Sequence, residues 1–331
     1  MYRSWYLNER PGPIYPEVTA YAVSLSCILF NETRDKRLLE RAERCATYLI
    51  NMSREGEVTD PSNAFAYTFD TGIFVSSMFD LYKATGKEIY IDQAERSLRW
   101  LLIYWNGKTF FDRVSIKNGA IDPSSYINLA KLSIPLIKAS YFLKDQKYAD
   151  VAIELLRWAE GLQSSDGRFS LSEAENKTML HYHCYAIEGF LYAYHGLKNE
   201  RYLQIAKKAA EWLSKIQNED GSFYQWYPRP STHISKNMIR HLLIGLGYRV
   251  KVTDATAQAA RIWKILGIND NAIEKAYHYL NGELEDGGLR LFRRKLIFEY
   301  SDARVYSWPT FFYIHSLLIT FRGIGKIGEV F

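Results

Sequence analysis

Glu17, Asp70, Asn128, His183, Asp254 and Asp302 bring carboxyl, amide and imidazole groups to one level of a repeating chain. Measured against the repeat's marker residue, Glu17 stands 21 positions before Leu38 and Asp70 20 before Tyr90. Asn128 stands 20 before Tyr148, His183 19 before Tyr202 and Asp254 18 before Ala272, while Asp302 precedes the last apolar segment. Carboxyl groups in different protonation states, with an imidazole beside them, are what general acid–base chemistry requires. Each group also has a plainer use. Asp70, Asp254 and Asp302 sit where helix N-caps belong, and Glu17 follows Pro16 as a first-turn acid that the helix dipole favours. His183 fits a core histidine partnered by Glu188. Capping leaves the pair His181 and His183 unexplained, and also Tyr126 and Asn128 at the same level.

The marker belongs to a repeat. A bulky residue, an alanine four positions on and an aromatic six beyond that recur as Leu38-Ala42-Tyr48, Tyr90-Ala94-Trp100, Tyr148-Ala152-Trp158 and Tyr202-Ala206-Trp212. A worn fifth copy runs through Ala272, Ala276 and Tyr279. A fixed period marks one structural unit copied around or along an axis. Within each copy a nearly all-apolar segment precedes a one-faced one, which predicts inner helices wrapped by outer helices. The pairs fall near 15–51, 65–105, 124–163, 181–217 and 253–282, with a last inner helix near 305–322. The expected fold is therefore all-α: an (α/α)6 barrel over 1–331 whose sixth hairpin is incomplete, its outer helix missing or replaced by 323–331. An insertion at about 227–250 lengthens one interval and is expected to carry a helix near Lys236 to Tyr248. The Asp-Gly pairs at 166–167, 220–221 and 286–287 read as turns between hairpins. Strands are expected only at these turns, and Tyr48, Trp100, Trp158 and Trp212 at a common depth.

Composition excludes several classes. The 331 residues can bury a large core, and no linker-like stretch divides them. A net charge of +5, evenly spread, does not make a nucleic-acid surface. The longest apolar run, 311–321, is too short to span a bilayer, and the N-terminus has no apolar signal region. With Cys27, Cys45 and Cys184 all in helical patterns, reduced thiols and a cytoplasmic location are expected. No phosphate-binding loop or nucleotide fingerprint occurs, so neither cofactor nor metal is expected. The 25 tyrosines and 8 tryptophans can fill a helical core or stack on sugar rings.

A ring of such hairpins with Asp-Gly turns resembles the (α/α)6 toroid of the six-hairpin glycosidase superfamily. Asp70-Thr71-Gly72 through Gly86, followed by Tyr90-Ile91-Asp92-Gln93-Ala94, is similar to an inner–outer hairpin of those enzymes. His183-Cys184-Tyr185-Ala186-Ile187-Glu188 resembles the H-x-H-x-x-E helix of N-acylglucosamine 2-epimerases, with Tyr185 where that family has its second histidine. Gln217 to Phe223 is similar to the terpene-cyclase repeat, but that family's acid clusters are absent, as are the zinc ligands of prenyltransferases.

The resemblance implies a carbohydrate-active enzyme acting on a saccharide in the ring mouth. Glycoside cleavage needs one protonated and one ionised carboxyl. Asp70 and Glu17 form the expected pair, with Asp254 as substitute. Asp70 would also suit the double-bond hydration of unsaturated-uronide hydrolases. A uronic-acid substrate would be paired by Arg304 or Arg240. His183 would bind substrate or act as base, Tyr182 and Trp308 would stack on sugar, and Tyr15, Tyr67, Asn128, His181, Glu188 and Asp302 would complete the binding site. Two alternatives stand beside this reading: a sugar epimerase using His183, and a non-catalytic saccharide-binding or scaffold toroid.

Overall fold

The computed structural model describes residues 1, 4–6, 11–228, 250–295, 299–301 and 304–322. Arg240, Asp302, the expected insertion helix and the tail 323–331 lie outside the described residues. Five helical hairpins follow one another: α1 (Pro16–Thr33) with α2 (Lys36–Met52), and α3 (Thr68–Thr85) with α4 (Glu88–Ile103). A 3-10 segment (Ile127–Leu132) then runs into α5 (Ser133–Phe142), which pairs with α6 (Gln146–Gly161). Next come α7 (Leu180–Leu197) with α8 (Glu200–Ile216), α9 (Thr253–Leu266) with α10 (Asp270–Gly282), and the unpaired α11 (Ser307–Arg322).

The two-layer arrangement follows from residue type. Thirteen of the 18 residues of α3 are buried, but only Ala42, Ala46 and Leu49 of α2. A helix apolar on every side must be enclosed, whereas a striped one can face water. The odd-numbered helices pack in sequence, and α11 returns to α1 to close the ring. An antiparallel pairing of Ser4–Tyr6 with Arg304–Tyr306 seals the same joint. No helix of the described residues is long and apolar enough to cross a membrane.

Among the described residues no outer helix follows α11, and two features stand out at that joint. Trp100, Trp158 and Trp212 are 7%, 5% and 6% exposed, but Tyr48 is 37% exposed, against the expected common depth. On α2, Glu43 bonds Lys87 and Tyr90 of the next outer helix, and Tyr48 lies on the opposite flank. That flank would face a sixth outer helix, and none follows α11 among the described residues. The Asp-Gly turns show the same asymmetry. At Gly167 and Gly221, both at positive φ, a Cβ would overlap the carbonyl oxygens of Lys208 and Lys275 on the next outer helix. At Gly287 a Cβ would meet nothing within 4 Å.

Strands are not confined to these turns. Short antiparallel strands also lead directly into α3, α7, α9 and α11. They are held by a recurring bond that no local pattern announces. In four of the six inner segments the first residue donates its N–H to the loop returning from its own hairpin: Thr68 to Asp112 O, Ile127 to Leu171 O, Leu180 to Gln225 O and Thr253 to Leu291 O, at 2.9–3.0 Å.

These contacts separate two glycines of identical local sequence. Gly221→Ala should lose roughly 3 kcal/mol, combining left-handed strain with backbone overlap, while Gly287→Ala should lose only about 1 kcal/mol of strain. Urea unfolding of both variants checks this, and equal losses would mean that the close approach at Gly221 carries no energy.

Candidate active site

The six inner segments point their first turns at one end of the ring. Their N-cap residues Tyr15, Tyr67, Tyr126, Met179 and Val252 make no side-chain cap bond. Three of the five outer helices differ, since Asp35, Asp145 and Asn199 cap α2, α6 and α8, while α4 and α10 have no side-chain cap. Asp70 and Asp254, expected as caps, therefore lie inside their helices, where Asp254 Oδ1 accepts the Ala255 N–H at 2.6 Å. Glu17 and Asp254 are the second residues of α1 and α9, and Asp70 is the third of α3. At such positions the helix dipole favours the ionised carboxylate.

Asn128, His181 and Trp308 are likewise second residues of their segments. The level read from sequence is thus real but slips by two positions on α7, where His181 rather than His183 holds it. Two residues of an α-helix are separated by about 200°, so His183 points away from the ring axis. It is fully buried, accepts from the Phe169 N–H through Nδ1 at 3.3 Å, and places Nε2 3.3 Å from Ala209 O. Burial lowers its pKa to about 3. His183 is a wall residue, which corrects its expected role as base or ligand.

The first turns enclose a cavity of about 370 Å³. Glu17, Asp70 and Asp254 line it, joined by Asp112. Aromatic walls come from Tyr15, Tyr67, Tyr126, Tyr182 and Trp308, and amide and imidazole groups from Asn128, Gln225 and His181. Trp308 Nε1 donates to Asp254 Oδ2 at 3.3 Å, and Tyr185 OH donates to Glu17 Oε1 at 3.2 Å. The Asn128 side-chain oxygen is buried without a hydrogen-bond partner. Arg304 does not line the cavity; its guanidinium lies 5.2 Å from the Tyr306 ring.

Asp112 and Gln225 escaped sequence reasoning because they sit in the returning loops, placed by the N–H bonds of Thr68 and Leu180. The available signal was the aromatic that closes each hairpin: Asp112 follows Phe111, and Gln225 comes two after Phe223. Asp112 is also the cavity carboxyl whose pKa is raised, to about 6, chiefly by burial and then by Asp122, with Arg113 opposing. Arg113 braces the rim, bonding Asp122 at 3.2 Å and Tyr67 OH at 3.1 Å.

Glu188, expected to touch substrate, lies beneath the cavity and is fully buried. It pairs with Arg261 of α9 and, at 2.8 Å, with Lys131 of the 3-10 segment. Burial pushes its pKa up, but these two cations reverse the shift and hold it at about 2. Gln258 Nε2 donates to Glu188 at 3.1 Å, which turns the Gln258 oxygen toward His181 Nδ1, 2.7 Å away. That oxygen can only accept, so neutral His181 carries its proton on Nδ1 and its lone pair on Nε2.

The buried His183 sets an acid limit on stability. Its folded pKa lies below its unfolded value of 6.5, so the unfolded chain takes up a proton that the folded chain refuses as pH falls from 6.5 toward 3. Stability should fall across that window by an amount on the order of 4 kcal/mol. Denaturation at stepped pH should show a shallower acid slope for His183→Asn, and unchanged slopes would contradict this assignment.

No protein-family model and no curated protein matches the chain. Solved structures do. A sugar epimerase from a ruminal bacterium superposes with a TM-score of 0.78 at 12% identity, covering 98% of this chain and 92% of that one. Cellobiose 2-epimerase from Bacillus thermoamylovorans gives 0.73 at 12% identity, over 96% and 92%. An unsaturated glucuronyl hydrolase from a Bacillus species, responsible for glycosaminoglycan degradation, gives 0.72 at 16% identity, over 99% and 93%. The chain therefore has the (α/α)6-toroid fold of these structures.

Proposed function

We propose that this toroid is a carbohydrate-active hydrolase that cleaves a saccharide bound in the ring mouth. The observation that carries the reading is the convergence of Glu17, Asp70, Asp112 and Asp254 in one aromatic-walled cavity, where burial raises the Asp112 pKa to about 6. One protonated and one ionised carboxyl are what glycoside hydrolysis needs. Asp112 supplies the proton to the leaving-group oxygen. Asp70, at the positive end of α3, takes the proton of the attacking water, and the hydroxide equivalent adds to the anomeric carbon as the glycosidic bond breaks. Glu17, braced by Tyr185, substitutes as base. Trp308 and Tyr182 offer faces for sugar stacking, and Asn128 an acceptor for a hydroxyl.

A neutral saccharide fits better than a uronic acid. Among the described residues no lysine or arginine lines the cavity, and four carboxyl groups oppose an anionic sugar. The saccharide-processing enzymes that share the fold support the class of reaction.

A second reading has an observation of its own. Gln258 accepts from His181 Nδ1 and so makes Nε2 the atom that can carry a lone pair, which suits proton abstraction beside a sugar carbonyl, so an epimerase would use His181 and not His183. Mass spectrometry separates the readings, since hydrolysis adds water to the substrate and epimerisation leaves its mass unchanged.

Screening neutral oligosaccharides should identify a substrate whose turnover drops about 10²-fold or more in Asp70→Asn and in Asp112→Asn, with folding intact. Wild-type turnover should fall as pH rises through about 6, because Asp112 then loses the proton it donates. Full activity in both variants would remove the carboxylate mechanism, and no binding of any saccharide would favour a scaffold role.

A further inference from the structure

Beside the saccharide cavity, a groove of about 320 Å³ is cut into the rim between the loops of the second and third hairpins. Tyr126 lines both spaces and is the wall they share. The groove is shaped by one of the bonds that shape the mouth. Ile127 donates its N–H to Leu171 O at 2.9 Å, which holds segment 123–126 against the loop 172–175. The turn 106–109 forms the third side, tied across by the ion pair of Lys108 with Glu173. The nearly buried Trp158 of α6 completes the lining.

The chemistry of this groove suits an uncharged polyol. Its charges are already paired, Lys108 with Glu173 and Glu175 with Lys177 at 2.6 Å. Neutral donors and acceptors remain. Asn106 Oδ1 accepts from the N–H groups of Lys108 and Thr109 at 3.0 and 2.9 Å, which leaves the amide NH2 for a ligand. Ser172 Oγ accepts from the Glu175 N–H at 3.1 Å and keeps its own proton to give. Ser125 Oγ donates to Phe110 O at 2.8 Å and keeps lone pairs to accept. Tyr126 adds a phenol with an apolar face. None of these four side chains is buried. Sugar hydroxyls both donate and accept, so they match such a mixture.

We propose that this groove is a subsite for the further sugars of a neutral oligosaccharide whose reacting end lies in the ring mouth, the chain passing Tyr126. The inference rests on the saccharide reading above and commits it to chains of three or more sugars. The groove is nearly as large as the mouth cavity, 320 against 370 Å³, so it has room for a comparable part of the ligand. Binding there adds affinity for long chains without touching the carboxyl groups that do the chemistry.

Rates of the full chain on cello-, malto- and manno-oligosaccharides of two to six sugars test it. In the series that is turned over, kcat/KM should rise about 10-fold from disaccharide to tetrasaccharide, through KM, as further neutral hydrogen bonds form. Ala174→Trp fills the groove from an exposed lining position and should cut that gain to about 2-fold or less. Asn106→Asp keeps the oxygen that accepts from Lys108 and Thr109 but removes the amide donor. It should lower the gain about 3-fold, and it tests the groove even if Ala174→Trp fails to fold. Equal efficiency on short and long members, or a length gain that either folded variant keeps in full, would overturn the groove and leave the saccharide reading standing. Neither turnover nor calorimetric binding of any member would remove that reading, and this inference with it.

Discussion

A ring of six inner helices leaves a hole on its axis, and here the hole is closed by charge. Glu188 sits at the centre with no exposure, gripped by Arg261 and Lys131 from the two flanking hairpins. Placing a carboxylate there is expensive unless good partners surround it. The rings of Tyr185 and Phe312 complete the plug, lying 4.1 Å from Lys131 and 5.2 Å from Arg261. Burial pulls the Lys131 pKa down to about 8 against the pull of Glu188. Everything above depends on this arrangement: Gln258 is oriented by Glu188, His181 by Gln258, and Tyr185 holds Glu17.

The division of labour between helix layers explains why a cavity survives at the mouth. Side-chain caps on α2, α6 and α8 satisfy local backbone donors, so the acids there serve their own helices. Four inner segments are instead anchored by their first N–H to the loop returning from their own hairpin, and three of these begin at short strands. Their first-turn acids face a shared space, although Asp254 also accepts the Ala255 N–H of its own first turn. Chemistry and architecture use the same residue types at different register positions.

Much of this was legible in the sequence, because the repeat acts locally. The alanine and aromatic spacing defines each outer helix, and the all-apolar segments define the inner ones, which together imply a closed two-layer ring. Glu17, Asp70, Asn128 and Asp254 could be placed at the mouth because helix starts keep their distance from the marker. His183 was misplaced because the spacing to the marker drifts over 18–21 residues and admits either histidine: His181 stands 21 before Tyr202, as Glu17 does before Leu38, and a two-residue error turns a side chain to the far face. Asp112 was invisible for a different reason: its position is set by a bond from Thr68, 44 residues earlier. The exposure of Tyr48 follows from what lies beside the first copy, and the repeat itself holds no information about that.

The stability of Glu188→Gln, alone and combined with Lys131→Met, tests the plug most directly. The single replacement should cost about 3–5 kcal/mol, because it leaves two buried cations without their anion. Adding Lys131→Met should restore at least about 1 kcal/mol, since it removes one of those cations and fills its space. A single variant within about 0.5 kcal/mol of the wild type, or a double variant no more stable than the single, would mean that the central ion cluster does not organise the ring.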